Sequence, residues 1–209
     1  MIPAGFVFLG AALSLVGSLR YAQLTIRGRT RPNRVTWVLW AAAPLIGFTA
    51  QLDGGVGLPA VLTLSIGLGP AIIVAASFVN PAAYWRISRF DLGCGAVSVL
   101  ALVVWLTVPD PAPAVVVAML ADLVAGIPTI RKVWTSPETE APAPFAFAGT
   151  NGVVALLTLD RWAVEDWVFP VYIVVLGYGV SLLLLTRTRP ARRVAGAASG
   201  GQNPSSPRA

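Results

Sequence analysis

The chain has 209 residues, of which 56% are hydrophobic and only 11% charged, with a mean hydropathy of +0.75. A soluble domain carries about 25% charged residues, so there is too little charge here to cover a water-facing surface, and a disordered chain needs the opposite bias. The net charge of +6 points to loops facing an anionic membrane leaflet rather than to nucleic acid. Seven apolar segments of roughly bilayer-spanning length are predicted. They cover 3–21, 35–52, 57–79, 91–108, 113–131, 144–159 and 167–186. Nothing basic precedes the apolar core of the first segment, which therefore reads as a retained span rather than a signal peptide. The sixth is the weakest: it opens on Ala141-Pro142-Ala143-Pro144 and contains Gly149, Asn151 and Gly152. After the seventh, the Ala-, Gly-, Ser-, Pro- and Arg-rich stretch from Thr188 has no apolar periodicity and is expected to be a disordered basic tail.

The connections orient the spans. With the N-terminus outside, the inner side holds Arg20, Arg27, Arg29, Arg31 and Arg34, then Arg86 and Arg89, then Arg131 and Lys132. The tail adds Arg187, Arg189, Arg192, Arg193 and Arg208, leaving only Arg161 outside. So strong a positive-inside bias predicts an all-α, seven-span membrane protein, N-out and C-in.

Several chemistries are excluded by absence. There is no histidine, which removes Ser-His-Asp hydrolysis and His-ligated zinc or haem. The single cysteine, Cys94, permits no internal disulfide and reads as a small apolar filler. The single lysine, Lys132, lies at a predicted helix end, where no retinal Schiff base would sit. No cofactor or metal site is expected.

The chain also repeats itself. Leu24-Thr25-Ile26-Arg27 returns as Pro128-Thr129-Ile130-Arg131, 104 residues on, and each copy ends an odd-numbered span on the inner side. Ile66-Gly67-Leu68-Gly69 returns as Leu176-Gly177-Tyr178-Gly179, 110 residues on, with Pro59 and Pro170 opening the helices that carry them. Two copies of a three-helix unit face the same way only if an unpaired span separates them. The expected layout is a first triple-helix bundle over 1–87, a linker helix over 88–110, a second bundle over 111–187 and the tail over 188–209.

The stretch Pro128-Thr129-Ile130-Arg131-Lys132-Val133-Trp134-Thr135-Ser136-Pro137-Glu138-Thr139-Glu140 resembles the PQ-loop motif. That motif is a helix-ending Pro-Gln, a short apolar-basic run and a polar loop into the next span. With its 3+1+3 spans and N-out orientation, the whole chain except the tail resembles the PQ-loop/SWEET (MtN3) superfamily, as a distant member. That superfamily includes sugar transporters, lysosomal amino-acid exporters and the KDEL receptor. Thr129 stands where the motif has glutamine, and the first copy has Leu24-Thr25 with no proline. The resemblance implies a substrate path between two triple-helix bundles, with prolines near helix centres as hinges.

Candidate site residues follow from polar groups set in apolar runs. Asp122, in the middle of span 5, costs about 2.5–3.5 kcal/mol on insertion scales and should face a bundle interior or a water-filled cavity. It either exchanges a proton during transport or hydrogen-bonds neighbouring groups. Gly126, one turn on, leaves room for another backbone or a ligand. Asn151 offers donors and an acceptor, for a substrate or as interhelical glue. Trp37 is expected in the interfacial aromatic belt, whereas Trp40 is deeper and could stack on a ring or sugar face. Tyr178 and Ser181 in span 7, with Thr63 and Ser65 in span 3, are further pocket candidates, each also able to bond its own helix backbone. Pro44, Pro70 and Pro128 interrupt spans 2, 3 and 5, where each removes a backbone hydrogen bond and permits a kink. The paired glycines mark close helix packing. The Arg27–Arg34 cluster reads as solvated and orienting, with Asn33 as a cap for span 2. Asp160, Glu165 and Asp166 read as a solvated outer loop.

These readings predict a non-enzymatic transporter of a small polar or amphipathic metabolite in the cytoplasmic membrane of a bacterium. Its expected partners are that substrate and the lipid bilayer; nucleic acid is excluded and self-association is open. A non-transporting receptor or accessory subunit on the same fold is the alternative. An intramembrane enzyme ranks last, because the carboxylates do not cluster.

Overall fold

The computed structural model describes residues 2–53, 59–159 and 162–199, and these form seven α-helices, three single-turn 3-10 elements and no strand. The helices are α1 (Val7–Ile26), α2 (Arg34–Asp53), α3 (Pro59–Ala76), α4 (Arg89–Trp105), α5 (Pro111–Thr135), α6 (Ala143–Leu157) and α7 (Val164–Ser199). Residues 57–58 of the third predicted segment, Asp160, Arg161 and positions 200–209 of the tail lie outside the described residues.

Local chemistry sets most helix ends. At the end of α1, Gly28 adopts φ +70°, which a side chain would resist. Its N–H donates to the Thr25 carbonyl at 2.8 Å, and Arg29 N–H donates to the Leu24 carbonyl at 2.9 Å. These are the two bonds of a Schellman stop. Asn33 does cap α2, its Oδ1 accepting from Val35 N–H at 3.1 Å. Ser88 and Asp91 form a reciprocal capping box at the start of α4, with bonds of 3.2 and 2.7 Å;. Asp110 caps α5 ahead of Pro111, a proline placed where no helix hydrogen bond is lost;.

The largest shifts of predicted ends are in α1 and α7. α1 runs on through Ala22–Ile26 because polar Gln23 and Thr25 do not interrupt a helix; the stop is Gly28. α7 continues through Ser199, where a disordered tail from Thr188 is predicted. The run Ala191–Ala198 is rich in alanine and arginine, strong helix formers that need no packing partner to favour the helix.

The helices pack in a definite order. α3 lies between α1 and α2, and α7 lies between α5 and α6. α1 packs along α6, α2 along α5, and α4 lies on α5 and α2. Close approach depends on small residues. A Cβ added to Gly177 of α7 would sit 2.5 Å from the Phe145 carbonyl oxygen and 2.7 Å from Gly149 N. One added to Gly67 of α3 would sit 2.7 Å from Leu45. The core at the junction is aromatic: Tyr21, Trp37, Trp40 and Phe145 form a chain of rings with centroids 5.1–6.2 Å apart.

Among the described residues three helices are long and apolar enough to cross a membrane, over Val7–Ile26, Ala112–Thr135 and Asp166–Thr188; Thr63–Ala76 and Ala143–Leu157 are shorter apolar helices. The outward face of α4 exposes Leu92, Val97, Leu100 and Val103. Apolar surface of this extent is compatible with a membrane protein.

Candidate functional site

Among the described residues, Arg27–Arg34, Arg86, Arg89, Arg131 and Lys132 gather at the end of the molecule where α1, α3, α5 and α7 finish; the opposite end carries Asp110 and Asp166. Between α1–α3 on one side and α5–α7 on the other lies a cavity in two compartments. The larger, about 500 Å³, occupies the half towards the opposite end, bounded by the second half of α2 (Ala43, Pro44, Gly47), the first part of α5 and the start of α7. The smaller, about 80 Å³, reaches towards the basic end between Ser14, Ser18, Trp37, Trp40, Pro70 and Phe145. Asp122, Asn151, Ile66 and Ile173 border both compartments.

Asp122 and Asn151 thus reach one cavity from two helices. Asp122 is half-buried on α5, and its Oδ2 accepts a hydrogen bond from the Tyr172 hydroxyl of α7 at 2.7 Å. Its backbone carbonyl accepts from the Trp40 indole N–H of α2 at 3.2 Å. The carboxylate therefore stands where α2, α5 and α7 meet. Asn151 of α6 is 2% exposed, and its Oδ1 has no hydrogen-bond partner among the described residues. That oxygen abuts Gly10 of α1, where an added Cβ would collide with it. Gly10 is what lets an amide fit between α1 and α6.

Trp40 is buried and borders the smaller compartment, against Trp37 and Phe145. The space left by Gly126 is filled by its indole: a Cβ there would lie 3.0 Å from Trp40 Cζ2. Trp37, expected in an interfacial belt, is only 3% exposed and belongs to the aromatic junction. Its ring packs against Tyr21 of α1 and Phe145 of α6, which leaves it no exposed interface.

Two candidates sit elsewhere. Tyr178 is 41% exposed and lies outside both compartments. Its ring packs over Gly149, and its hydroxyl is 3.1 Å from Thr150 Oγ1. Ser65 is buried within the α1–α3 bundle and borders neither compartment. Its neighbours Thr63 and Ile66 do face the cavity, because a residue step of 100° turns the adjacent side chain off the lining face. Ser181 donates to the Pro142 carbonyl at 3.0 Å, a packing role. Of the prolines, Pro44 borders the larger compartment and Pro70 the smaller, and Pro128 interrupts α5 on the basic side.

The basic end holds a polar network that the sequence reading did not foresee. Glu140, before α6, accepts from the Tyr21 hydroxyl of α1 at 2.5 Å and pairs with Lys132 of α5 at 2.6 Å. Lys132 also donates to the Arg31 carbonyl, and Arg31 N–H donates to the Thr139 carbonyl at 2.9 Å. The α1–α2 and α5–α6 connections are thereby tied to each other. Both ion-pair side chains are essentially inaccessible, 1% and 0% exposed. Lys132, counted among the inner-side charges at a helix end, is buried, because Pro137 and the 3-10 turn behind it fold Glu140 back over its ammonium. Its being the lone lysine in an arginine-rich chain was the available signal. Arg34, expected in a solvated, orienting cluster with Arg27, Arg29 and Arg31, donates to Ser77 Oγ and the Ser77 carbonyl at 3.0 and 2.6 Å and lies 4.0 Å over the Phe78 ring. It joins the start of α2 to the end of α3. Asp166, read as a loop residue, borders the larger compartment. Tyr172 was also missed: a tyrosine near the middle of an apolar helix is ordinary until a facing carboxylate is seen.

Comparison with protein-family models, with curated proteins and with solved structures gave no match for this chain.

Proposed function

We propose that this chain is a multi-pass membrane transporter that moves a small polar or amphipathic metabolite by alternating access between two triple-helix bundles, α1–α3 and α5–α7. One observation carries the reading: Asp122 and Asn151 border a single cavity whose opposite wall is supplied by α1–α3. A carboxylate and an amide are expensive in an apolar helix unless they serve a path or a partner.

The packing order supports two related bundles. Exchanging α1 with α5, α2 with α6 and α3 with α7 turns the α1–α6 contact into the α5–α2 contact, and each central helix, α3 or α7, into the other. That is the relation of parallel repeats about an axis along the membrane normal, with α4 as the unpaired connector. In this layout seven spans run N-out and C-in, the basic end faces the cytoplasm of a bacterial cell, and the fold is that of the PQ-loop/SWEET superfamily.

The two ends of the cavity differ as alternating access requires. The larger compartment lies towards the outer end, while the Tyr21–Glu140–Lys132 network and the aromatic chain close the inner end. Near that closure Asn33 Nδ2, Thr36 Oγ1, Trp37 Nε1 and Thr129 Oγ1 are buried without a partner among the described residues. Unpaired buried polar atoms are costly, and these regain water when the inner end opens. Pro44, Pro70 and Pro128 supply flexible points in α2, α3 and α5.

The test is protein-dependent efflux from reconstituted vesicles loaded with a mixture of small metabolites, read by mass spectrometry. At least one metabolite should leave, and Asp122→Asn should stop it while Leu100→Ala, on the exposed face of α4, should not. Efflux of nothing, or equal behaviour of the two variants, overturns the reading.

A further inference from the structure

We infer that the cavity is built for a monovalent organic cation, an amine or quaternary ammonium carrying an apolar body; this rests on the transport-site reading above. The first observation is the sign of the charge in the lining. The chain has fifteen basic residues against nine acidic ones, yet no lysine or arginine appears among the described residues bordering either compartment. Two carboxylates do, Asp122 at the junction of the compartments and Asp166 at the wider end. At the junction of the compartments the charge, that of Asp122, is opposite in sign to that of the chain as a whole.

The second observation is where the hydrogen-bonding capacity is left. The Tyr172 hydroxyl is spent on Asp122 Oδ2, and the Trp40 indole N–H on the Asp122 carbonyl. Ser18 has given its proton to the Ser14 carbonyl, and Asn151 Oδ1 is enclosed against Gly10 rather than open to the cavity. The other polar groups of the lining, such as Ser14 and Asn151, are neutral and offset no anionic charge. Among the described lining residues an ammonium finds the Asp122 carboxylate as countercharge, whereas a carboxylate or phosphate finds none.

The third is the wall. Each carboxylate shares its compartment with aromatic rings: Asp122 with Trp37, Trp40 and Phe145, and Asp166 with Trp105 and Phe169. Ring faces attract cations through their quadrupole, tryptophan most strongly, and the attraction grows where water is excluded. A larger compartment of about 500 Å³ falls within the usual range for small-molecule sites, about 300–1,000 Å³, so the apolar body has room.

The experiment uses the full chain in lipid nanodiscs and three probes of matched shape: 2-phenylethylammonium, neutral 2-phenylethanol and anionic 3-phenylpropanoate. Binding is followed by tryptophan fluorescence, with empty nanodiscs subtracted. Losing a charge-assisted contact is worth about tenfold or more in affinity. The ammonium should therefore bind at least tenfold more tightly than the alcohol, and the carboxylate should show no saturable binding. Asp122→Asn should erase the preference, while Asp122→Glu and Leu100→Ala should keep it, which separates loss of charge from loss of fold. Absence of saturable ammonium binding, equal binding of the alcohol or the anion, or a preference that survives Asp122→Asn overturns the inference. Flux of the impermeant trimethyl(2-phenylethyl)ammonium in proteoliposomes separates the two readings. Selective binding without flux upholds the cation site and removes transport. Efflux of a neutral or anionic metabolite without ammonium binding upholds transport and removes the cation site.

Discussion

Substituting Glu140 by Gln tests the buried network at the basic end. Glu140 is fully enclosed and receives hydrogen bonds from Tyr21 and Lys132, whose side chain is 1% exposed. Gln keeps the shape and still accepts from Tyr21, but it leaves the Lys132 ammonium buried without its ion-pair partner, beside the Arg31 carbonyl and 4.7 Å from the Trp85 ring. Removing one partner of a buried pair costs about 3–5 kcal/mol, because the remaining charge is stranded. For a chain of this size about 2–4 °C is lost per kcal/mol, so Tm should fall by roughly 6–20 °C. The assay is thermal unfolding followed by tryptophan fluorescence in nanodiscs, for Glu140→Gln, Lys132→Met and the double variant. Removing both charges leaves nothing stranded, so the double variant should be more stable than either single one. The reasoning fails if Glu140→Gln costs under about 1 kcal/mol, the range of exposed pairs, or if the double variant shows the sum of the two single losses.

Other positions give sharper contrasts. Gly177→Ala should lower Tm markedly, because its Cβ meets the Phe145 and Gly149 backbones at 2.5–2.9 Å; Gly179→Ala, with nothing within 4 Å, should be neutral or stabilising by up to about 1 kcal/mol;. Gly28→Ala, at φ +70°, should cost about 1–2 kcal/mol in the same assay. Tyr172→Phe removes the hydroxyl on Asp122 but not the carboxylate, so efflux should fall several-fold rather than vanish. Labelling of Ser18→Cys by an impermeant thiol reagent, in a Cys94→Ala background, should rise from the basic end when the Glu140→Gln and Lys132→Met substitutions are combined.

Helix number, order and most boundaries were legible in the sequence. Apolar run length and local capping are one-dimensional signals: Asn33 caps α2 and Asp110 caps α5, and neither needs a tertiary partner. Asp122 and Asn151 were legible for a related reason. A polar group within an apolar run is costly to leave on an apolar exterior, so the inward direction is favoured even when its neighbours are unknown. What only the tertiary structure decided is which side chains meet across helices. Tyr172 joined Asp122 from 50 positions away, and Tyr21 joined Glu140 from 119 away. Tyr178 and Ser65 left the candidate site because a one-residue step turns a helical side chain by 100°. Lys132 is a buried ion-pair partner because a three-residue turn carried Glu140 over it. Composition and periodicity fix how far each helix runs and which groups cannot face lipid; rotation about the helix axis and the fold of the short connections fix which groups touch, and neither is encoded in the pattern of any single segment.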